Sequence, residues 1–522
     1  MNFDPVIRLY NVVQKQPNHI SIVDYDKEIT YKMFFILSYS ISQLIKLNTN
    51  QTTPRVLIYL SKSIEAYAAM FGTLMSGGYY SPLNVNASSD TKSHIIKLFT
   101  PHIIITSANL SKEVNDFVDK FSLPSKITII DKISEQVANG DIVLNEQEID
   151  FDLNSHDKGI NYKQLAYVIF TSGSTGIPKG VMISRDALAH YTNWAVSAIM
   201  PSDTDRWAQY ANISFDLSVL DIFGALCSGA TLYTVSKKID KILFGNFIRR
   251  NRISIVNIVP SVTDLLIQSK QIINSNLRTV RLINYCGEPL MQYHIEAMFS
   301  VNPSLQINNT YGPTECTVSC TLLRLDNENY KNYCYQSVAL GDVIPGMDLS
   351  LTQETDGNGE IILSGEQVAE GYWQDKEGTR KSFYKKEING KIVSCYKTGD
   401  WARYENDRLY FVGRKDEQYK IQGYRVELGS INAHIYQLIK MNVSTLFYDG
   451  QLHCFIERKD KYKLDFEKIL QKLRANLINY ELPNILYSIK CLPRNNNNKV
   501  DKKALLVIAR NHSNSKESCV HL

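Results

Sequence analysis

The sequence lacks the patterns that mark membrane-spanning, secreted and nucleic-acid-binding proteins. Its most apolar stretch, residues 66–83, is interrupted by three glycines and by Pro82, so it is not the unbroken run that a membrane span needs. The amino terminus has no basic start followed by an apolar core, which predicts no signal peptide. The formal net charge is +4, from 57 basic and 53 acidic residues, and this excess is too small to predict binding of nucleic acid.

Paired cysteines are also missing. The nine cysteines are scattered singly, with no Cys-x-x-Cys pair and no metal-ligand spacing, which favours reduced thiols in a cytoplasmic protein. What the sequence does have is the composition of a globular protein, with 44% hydrophobic and 21% charged residues. Its 522 residues are too many for one ordinary core, so we expect two or more domains.

Strand-like runs rich in β-branched residues alternate with segments of helical period through the first 400 residues. We predict strands at residues 56–60, 102–105, 127–130, 166–170, 253–258 and 280–285, and helices at residues 63–75 and 240–250. Such alternation is typical of the α/β class, in which helices cover layered and largely parallel sheets.

The pattern changes near Arg414. A hairpin with a polar turn at residues 406–407 precedes it, and short strands with helical patterns at residues 429–440 and 465–476 follow it. This change predicts a small α+β domain behind the large one. The predicted divisions are a large domain over residues 1–413, a small C-terminal domain over residues 414–510 and a disordered tail over residues 511–522.

The most informative segment is Thr171-Ser-Gly-Ser-Thr-Gly-Ile-Pro-Lys179, which follows an apolar strand-like run. Glycines let a backbone approach phosphate oxygens closely, hydroxyl groups donate hydrogen bonds, and the lysine adds positive charge. The segment lacks the Gly-Lys-Ser/Thr ending of a Walker A loop. A flexible surface loop is the alternative, but the preceding strand and the closing lysine favour a phosphate-binding loop. Ser184 is predicted to cap the helix that follows.

Five further segments follow this loop in a fixed order, and together they resemble one enzyme superfamily. They are NISFDLSVLDIFGAL, NYCGEPL, NTYGPTECT, YKTGDWARYENDRLYFVGRKDEQYKIQGYRVELG and NNNNKVDKKAL. The chain is similar to the adenylate-forming superfamily of acyl-CoA synthetases, amino-acid adenylation domains and luciferases over about residues 25–505. One such segment would be weak evidence, whereas six in order over most of a chain are specific.

Adenylate formation explains why these residue types are needed. A substrate carboxylate attacks the α-phosphate of ATP and expels pyrophosphate, so catalysis consists of positioning and charge neutralisation. The resemblance implies ATP and Mg²⁺ as cofactors, Glu315 as the metal-associated carboxylate, and Lys499, Glu315 and Lys179 as catalytic residues. The ATP-binding set that it implies is Thr171, Ser172, Gly173, Ser174, Thr175, Gly176, Lys179, Tyr311, Thr314, Asp400, Arg414 and Lys499.

Within this set the resemblance implies separate roles. Tyr311 would stack on adenine, Asp400 would accept hydrogen bonds from the ribose hydroxyls, and Arg414 would make a second ribose or phosphate contact. Lys499 would neutralise the substrate carboxylate and the α-phosphate as they approach. It follows Asn498, where the superfamily usually has glycine, and a solvated basic tail is the alternative interpretation of this lysine.

The resemblance also implies that the C-terminal domain is mobile and rotates between two half-reactions. Asp416 lies at the hinge position, and Lys420 and Gly423 would line the state that transfers the acyl group to a phosphopantetheine thiol. An ordinary strand and turn is the alternative for the last two residues. Ser430 and Asn432 depart from the usual Gly-Glu-Ile-Glu pattern, in a stretch that we interpret as the start of a surface helix.

The branch of the superfamily depends on Asp216. In amino-acid-activating members an aspartate at this position pairs with the substrate ammonium group, and the alternative is an aspartate that only favours a helix N-terminus. Cys286 and Thr310 resemble D-alanine–carrier protein ligases, and the cysteine would shrink the pocket, although unpaired cysteines are often only buried. The implied substrate-binding set is Asp216, Leu217, Leu220, Asn257, Asn284, Cys286, Gly287, Thr310, Val318 and Ser319.

The pocket leaves the substrate open between alanine and a small polar amino acid, since Asn257 and Asn284 are more polar than an alanine pocket needs. The last hundred residues contain no Gly-Gly-x-Ser attachment motif for phosphopantetheine, which predicts an enzyme that loads a separate carrier protein. One alternative is an acyl- or aryl-acid–CoA ligase of the same superfamily. Another is a non-catalytic nucleotide-binding protein, which the persistence of the predicted catalytic residues disfavours.

Overall fold

The computed structural model describes residues 4–138, 163–171, 178–352, 358–388, 390–414, 418–421, 424–458, 464–494, 500–512 and 519–521. The chain divides into two compact units. The large unit takes its residues from 1–85, 95–170 and 180–413, and the small unit takes its residues from 86–94, 171–179 and 414–522.

The strands up to Arg414 are β1 (Ile20–Asp24), β2 (Lys27–Thr30), β3 (Arg55–Tyr59), β4 (Tyr79–Pro82), β5 (Ile103–Thr106), β6 (Lys126–Ile129), β7 (Leu165–Thr171), β8 (Lys179–Ser184), β9 (Arg206–Gln209), β10 (Thr231–Thr234), β11 (Ile255–Ile258), β12 (Leu282–Cys286), β13 (Gln306–Tyr311), β14 (Thr321–Leu325), β15 (Asp342–Val343), β16 (Met347–Leu351), β17 (Asn358–Gly365), β18 (Gly371–Tyr372), β19 (Phe383–Ile388), β20 (Lys391–Glu405) and β21 (Arg408–Arg414).

The helices of the same region are α1 (Pro5–Lys15), α2 (Tyr31–Asn48), α3 (Ile64–Met75), α4 (Ser89–Phe99), α5 (Ser111–Phe121), α6 (Asp131–Ala138), α7 (Arg185–Ile199), α8 (Leu217–Leu226), α9 (Lys238–Ile242), α10 (Phe244–Asn251), α11 (Pro260–Gln268), α12 (Asn274–Leu277), α13 (Gln292–Phe299) and α14 (Lys376–Ser382). Two single turns of 3₁₀ helix lie at Thr314–Cys316 and Tyr330–Tyr333.

Two large sheets dominate this region. The nine-stranded sheet has the order β15-β14-β13-β12-β11-β9-β10-β1-β2, and the seven-stranded sheet has the order β18-β8-β7-β4-β3-β5-β6. From β1 to β13 the neighbours in the first sheet are parallel, as are β4, β3, β5 and β6 in the second. Strands such as β5, β11 and β12 are buried at every residue, because helices cover both faces of a parallel sheet. This layered architecture confirms the predicted α/β class.

A third, five-stranded sheet has the order β16-β17-β20-β19, with β21 paired to β20. The hairpin between β20 and β21 turns at Asn406 and Asp407, whose φ angles of 49° and 59° are left-handed. Asparagine and aspartate tolerate this conformation better than most residues, and two such residues in succession form the turn that matches strand twist. The predicted hairpin with its polar turn is therefore confirmed.

Helix α8 illustrates why a mostly apolar sequence becomes a central helix. All ten of its residues are buried, and it packs on β9, β10 and β11. A Cβ atom at Gly224 would lie 2.8 Å from the ring of Trp207, so glycine permits the close approach of helix and sheet. The one charged residue within the helix, Asp221, accepts a hydrogen bond from the indole nitrogen of Trp207 at 3.0 Å.

The predicted strands of the large domain are present within a few residues of their expected ends. The prediction of one continuous helix over residues 240–250 is wrong. Leu243 has non-helical angles (φ −100°, ψ 47°) and separates α9 from α10. Ser184 caps α7 as expected, since its hydroxyl accepts a hydrogen bond from the amide of Ala187 at 3.3 Å.

The small unit contains α+β structure after Arg414. Its elements are β22 (Gln418–Ile421), β23 (Tyr424–Glu427), α15 (Leu428–Ile439), β24 (Val443–Tyr448), β25 (Gln451–Glu457), α16 (Phe466–Asn476), a 3₁₀ turn (Asn479–Glu481), β26 (Ile485–Ile489), α17 (Lys502–His512) and β27 (Cys519–His521). Strands β22 and β23 pair, and β24-β25-β26-β27 form a four-stranded sheet. Where the sequence predicts a disordered tail, α17 continues to His512 and β27 pairs with β26.

Helix length and composition decide whether a segment can cross a bilayer. Among the helices in the described parts of the chain, none has the length and apolar character that crossing a membrane requires.

Candidate active site

Three neighbouring strands of the nine-stranded sheet bring predicted pocket residues together. Asn257 on β11 lies beside Asn284 on β12, and Cys286 on β12 lies beside Thr310 on β13. The carboxyl ends of parallel strands lie at the same edge of a sheet, which is where α/β proteins bind ligands. All four residues are buried, so their polar groups act on neighbouring protein groups or on a bound molecule and not on bulk water.

A small cleft opens at this edge of the sheet. Four predicted residues line it: Leu220, Asn284, Thr310 and Ser319. The other lining residues were missed by sequence reasoning: Tyr191, Trp194, Ala198, Ile199, Asn308 and Leu322. The first three of these follow one face of α7 at spacings of three and four residues, a periodicity that is visible in the sequence. From sequence alone, such a stripe is indistinguishable from ordinary core packing.

Asp216 precedes α8 and is 6% exposed. It occupies the N-cap position of α8, where its side chain makes no capping hydrogen bond. Burial raises the pKa of the cleft residue Tyr191 well above its usual value, and the negative charge of Asp216 contributes to this rise.

The two pocket asparagines have different environments. Asn257 donates through Nδ2 to the carbonyl of Leu217 at 3.1 Å, and Asn284 donates through Nδ2 to Oδ1 of Asn257 at 3.0 Å. The amide of Asn257 therefore holds the first turn of α8. Within the described part of the chain no hydrogen bond is made to Oδ1 of Asn284, which lines the cleft. Of the two, Asn284 is the residue available to a polar substrate.

Cys286 lies against the turn that follows β13. It is 3% exposed, and its Sγ lies 3.7 Å from the carbonyl oxygen of Val318. Ser319, the next residue, is 3.5 Å through Oγ from the hydroxyl of Tyr191. The other six predicted residues are not among those that line the cleft: Asp216, Leu217, Asn257, Cys286, Gly287 and Val318.

Two predicted nucleotide-binding residues meet across two sheets. The hydroxyl of Tyr311, at the end of β13, donates to Oδ2 of Asp400 on β20 at 2.7 Å. Asp400 is 7% exposed, and its amide donates to Oγ1 of Thr398 at 3.0 Å, which fixes the local turn. The ring of Tyr311 is suited to stack on a nucleotide base. The carboxylate of Asp400 is suited to accept hydrogen bonds from the sugar hydroxyls.

Glu315 lies in the 3₁₀ turn after β13 and is 1% exposed. Its Oε1 accepts a hydrogen bond from the hydroxyl of Tyr372 at 2.8 Å, and that hydroxyl lies 3.4 Å from the hydroxyl of Tyr396. Sequence reasoning missed both tyrosines, because their contacts join segments far apart in the chain. The charge of Glu315 is thus oriented by groups from two other strands.

Few side chains in the described part of the chain are available to hold a magnesium ion. Among the described residues, no group of three or more His, Cys, Asp and Glu side chains could hold a metal ion. A single buried carboxylate such as Glu315 nevertheless fits Mg²⁺ that takes its other ligands from phosphates and water. The residues present therefore fit a metal that arrives with a nucleotide.

The two ends of the predicted phosphate-binding loop are close together. Oγ1 of Thr171 donates to the carbonyl of Lys179 at 3.5 Å. The predicted residues between them, Ser172, Gly173, Ser174, Thr175 and Gly176, lie outside the described residues, as do Asp416, Gly423, Lys499 and the side chain of Lys420. Arg414 ends β21, and Arg494 and Val500, which flank the segment containing Lys499, form an antiparallel bridge.

Comparisons with known proteins agree with this geometry. A family profile described as "AMP-binding enzyme" matches residues 9–373. The chain is 27% identical to a D-alanine--D-alanyl carrier protein ligase of Lactococcus lactis, over 95% of this chain and 97% of that protein. It is 28% identical to bacitracin synthase 1 of Bacillus licheniformis, over 95% of this chain but 9% of that protein.

A solved structure shows the same fold. It is the Vibrio cholerae adenylation domain AlmE in complex with glycyl-adenosine-5'-phosphate, with a TM-score of 0.79 and 24% identity. The match covers 97% of this chain and 98% of that chain.

Proposed function

The chain belongs to the AMP-binding enzyme family, and from that membership we propose that it activates a small amino acid with ATP and passes it to a carrier protein. The first half-reaction joins the amino-acid carboxylate to AMP and releases pyrophosphate. The second transfers the aminoacyl group from AMP to the phosphopantetheine thiol of a separate carrier protein. One observation carries the amino-acid assignment: Asp216, at the motif position that pairs with a substrate ammonium group, is a buried carboxylate.

The relatives support the same class of substrate and partner. The matched ligase is named for D-alanine and a carrier protein, and the alignment covers nearly the whole of both chains. The match within bacitracin synthase 1 covers nearly the whole of this chain as well. The cleft supports a small substrate, because Tyr191, Trp194 and Leu322 fill much of its wall.

The proposed mechanism assigns a role to each of the predicted residues. The ring of Tyr311 stacks on the base, while Asp400 accepts hydrogen bonds from the ribose hydroxyls and fixes the nucleoside. Asp216 pairs with the substrate ammonium group. Glu315 would hold Mg²⁺, and the ion would supply positive charge that neutralises the phosphates. From their motifs, Lys179 would add charge at the phosphate loop and Lys499 would neutralise the attacked phosphate.

The proposal is tested by amino-acid-dependent exchange of pyrophosphate into ATP. The panel contains the proteinogenic amino acids, D-alanine, and several fatty and aryl acids. We expect exchange with one or a few small amino acids, followed by loading of a phosphopantetheinylated carrier protein. Exchange only with acids that lack an amino group would instead identify an acyl- or aryl-acid ligase. ATP binding without exchange of any acid would contradict the catalytic proposal.

Glu315→Gln is expected to lower the exchange rate by about 10²-fold, because the substitution removes the negative charge that holds the metal while keeping the acceptor for Tyr372. The Mg²⁺ concentration that gives half the maximal rate should rise. Glu370→Gln is the matched control, since Glu370 is an exposed carboxylate close to Tyr372 in sequence. An unchanged magnesium midpoint in a folded Glu315→Gln protein would remove the metal-site assignment.

Cys286→Gly is expected to relax the selectivity of the enzyme toward larger side chains. Removing the thiol opens space behind the pocket turn, and a volume change of this size is worth about 10-fold in the leucine-to-alanine rate ratio. Cys227→Ala is the control for general loosening of the core, because Cys227 is equally buried and contacts the carbonyl of Pro5. A ratio that stays at the wild-type value would show that Cys286 does not shape the pocket.

A further inference from the structure

The turn between Glu315 and Ser319 has a backbone conformation that its sequence disfavours. Thr317 and Val318 have left-handed φ angles of 54° and 70°. Such angles are rare for β-branched residues and persist only where surrounding contacts hold them. This turn joins the proposed metal carboxylate to the pocket residues Val318 and Ser319. The conformation of the turn therefore determines the positions of the Glu315 carboxylate and of these two residues.

Contacts from one other segment hold the turn. Gln367 is fully buried, and in the amide orientation that pairs every donor its Nε2 donates to the carbonyls of Cys316 at 3.3 Å and Ser319 at 2.9 Å. The backbone carbonyl of Gln367 accepts a hydrogen bond from Oγ1 of Thr317 at 2.8 Å. Two residues further on, the amide of Ala369 donates to the carbonyl of Glu315 at 2.9 Å.

His190 fixes the orientation of the Gln367 amide. Its Nδ1 donates to Oε1 of Gln367 at 2.9 Å, and its ring is 7% exposed. The opposite ring nitrogen lies 3.8 Å from a carboxylate oxygen of Glu366, and a Cβ atom at Gly346 would overlap it, so the ring has little room to turn. His190 lies on α7 directly before Tyr191, so the helix that lines the cleft also orients the amide.

We propose that Gln367, oriented by His190, is a positioning residue that sets the side-chain selectivity of the substrate pocket. It holds the carbonyls on both sides of the strained turn and so fixes Val318 against Cys286 and Ser319 against Tyr191. This inference rests on the proposed function, since it assigns the amino-acid specificity of the same site. Loss of the amide leaves the carbonyl of Ser319 without this donor and the carbonyl of Cys316 with the thiol of Cys320 at 3.3 Å, which favours relaxation of the turn.

The inference is tested by steady-state exchange kinetics of Gln367→Met, which keeps the side-chain volume but removes the amide. We expect the KM for the amino acid to rise about 10-fold and the leucine-to-alanine rate ratio to rise by a similar factor. The KM for ATP should stay within about twofold, because the nucleotide contacts of Tyr311 and Asp400 are separate. Glu370→Gln is the control on the same segment, because Glu370 is exposed, and it should leave all three quantities unchanged.

A pair of substitutions at His190 tests the same contact from the other side. His190→Leu removes the donor and should reproduce the change of Gln367→Met, whereas His190→Asn retains an N–H group and should restore most of the wild-type ratio. The double variant His190→Leu/Gln367→Met should have the same leucine-to-alanine rate ratio and the same KM for the amino acid as either single variant. The reason is that the two substitutions remove the same contact.

The outcomes separate this inference from the proposed function. If the wild-type protein exchanges pyrophosphate with no amino acid, the proposed function fails. If the wild type is active and a folded Gln367→Met protein keeps the wild-type ratio and KM, the positioning role alone is overturned. If Gln367→Met does not fold, equal behaviour of His190→Leu and His190→Asn overturns it. Equal rises in the KM values for ATP and amino acid would show a merely structural role.

Discussion

Replacing Asp216 with asparagine is expected to lower kcat/KM for the amino acid by about 10²- to 10³-fold. The carboxylate is buried, and removing one partner of a buried ion pair costs about 3–5 kcal/mol, since the other charge is left without compensation. The measurement is amino-acid-dependent pyrophosphate exchange over a range of substrate concentrations. The same variant should treat the corresponding acid without its amino group almost as the wild type does.

The control separates the ammonium contact from an effect on the helix. Asp186→Asn removes an exposed carboxylate from the first turn of α7, which also places a negative charge near a helix N-terminus. This control should change kcat/KM by less than about twofold. If Asp216→Asn lowers exchange equally for the amino acid and its deaminated analogue, the carboxylate serves the structure of α8 and the amino-acid assignment loses its support.

Lys499→Ala is expected to reduce adenylate formation by about 10²- to 10³-fold while sparing transfer from a preformed adenylate. Two anions approach each other in the first half-reaction, and a lysine placed between them stabilises the transition state in which their charges meet. The second half-reaction has no such approach of anions. Lys499 lies outside the described residues, so this prediction rests on the motif that contains it.

Two assays on one preparation make the distinction. Pyrophosphate exchange measures the first half-reaction, and loading of a carrier protein from synthetic aminoacyl-AMP measures the second. Lys503→Ala is the control, because Lys503 is an exposed lysine nearby on α17. Near-normal exchange by Lys499→Ala would transfer the catalytic role to another cation. Equal loss in both assays would point to damage of the small unit.

The sequence predicted the central strands of the α/β layers because their residues are buried on both faces and are therefore mostly apolar, as in β5 and β12. It predicted the cap at Ser184 and the turn at Asn406 and Asp407 because these depend on neighbouring residues alone. It did not predict the break at Leu243, since the hydrophobic pattern continues across that residue.

In the pocket too, some residues could be identified from the sequence and others only from the folded chain. Asp216, Asn284, Thr310 and Ser319 could be placed from motifs that keep their order along the chain, and three of these four line the cleft. Tyr191 and Trp194 could not, because an aromatic stripe on α7 has the same periodicity whether it faces a cleft or a core. Nothing in the sequence distinguished Asn257 from Asn284. Their hydrogen bonds show that Asn257 holds the first turn of α8, whereas Asn284 lines the cleft.

The sequence by itself determined the α/β class, the order of the motifs and the residue types that adenylation requires, because periodicity and short motifs are properties of neighbouring residues. Only the tertiary structure decided which distant groups orient those residues. Tyr372 reaches Glu315, and Gln367 with His190 holds the turn before Ser319, across chain separations that leave no local pattern. Hydrogen bonds between remote segments form only after the sheets and helices have packed, so their partners become identifiable in the folded chain.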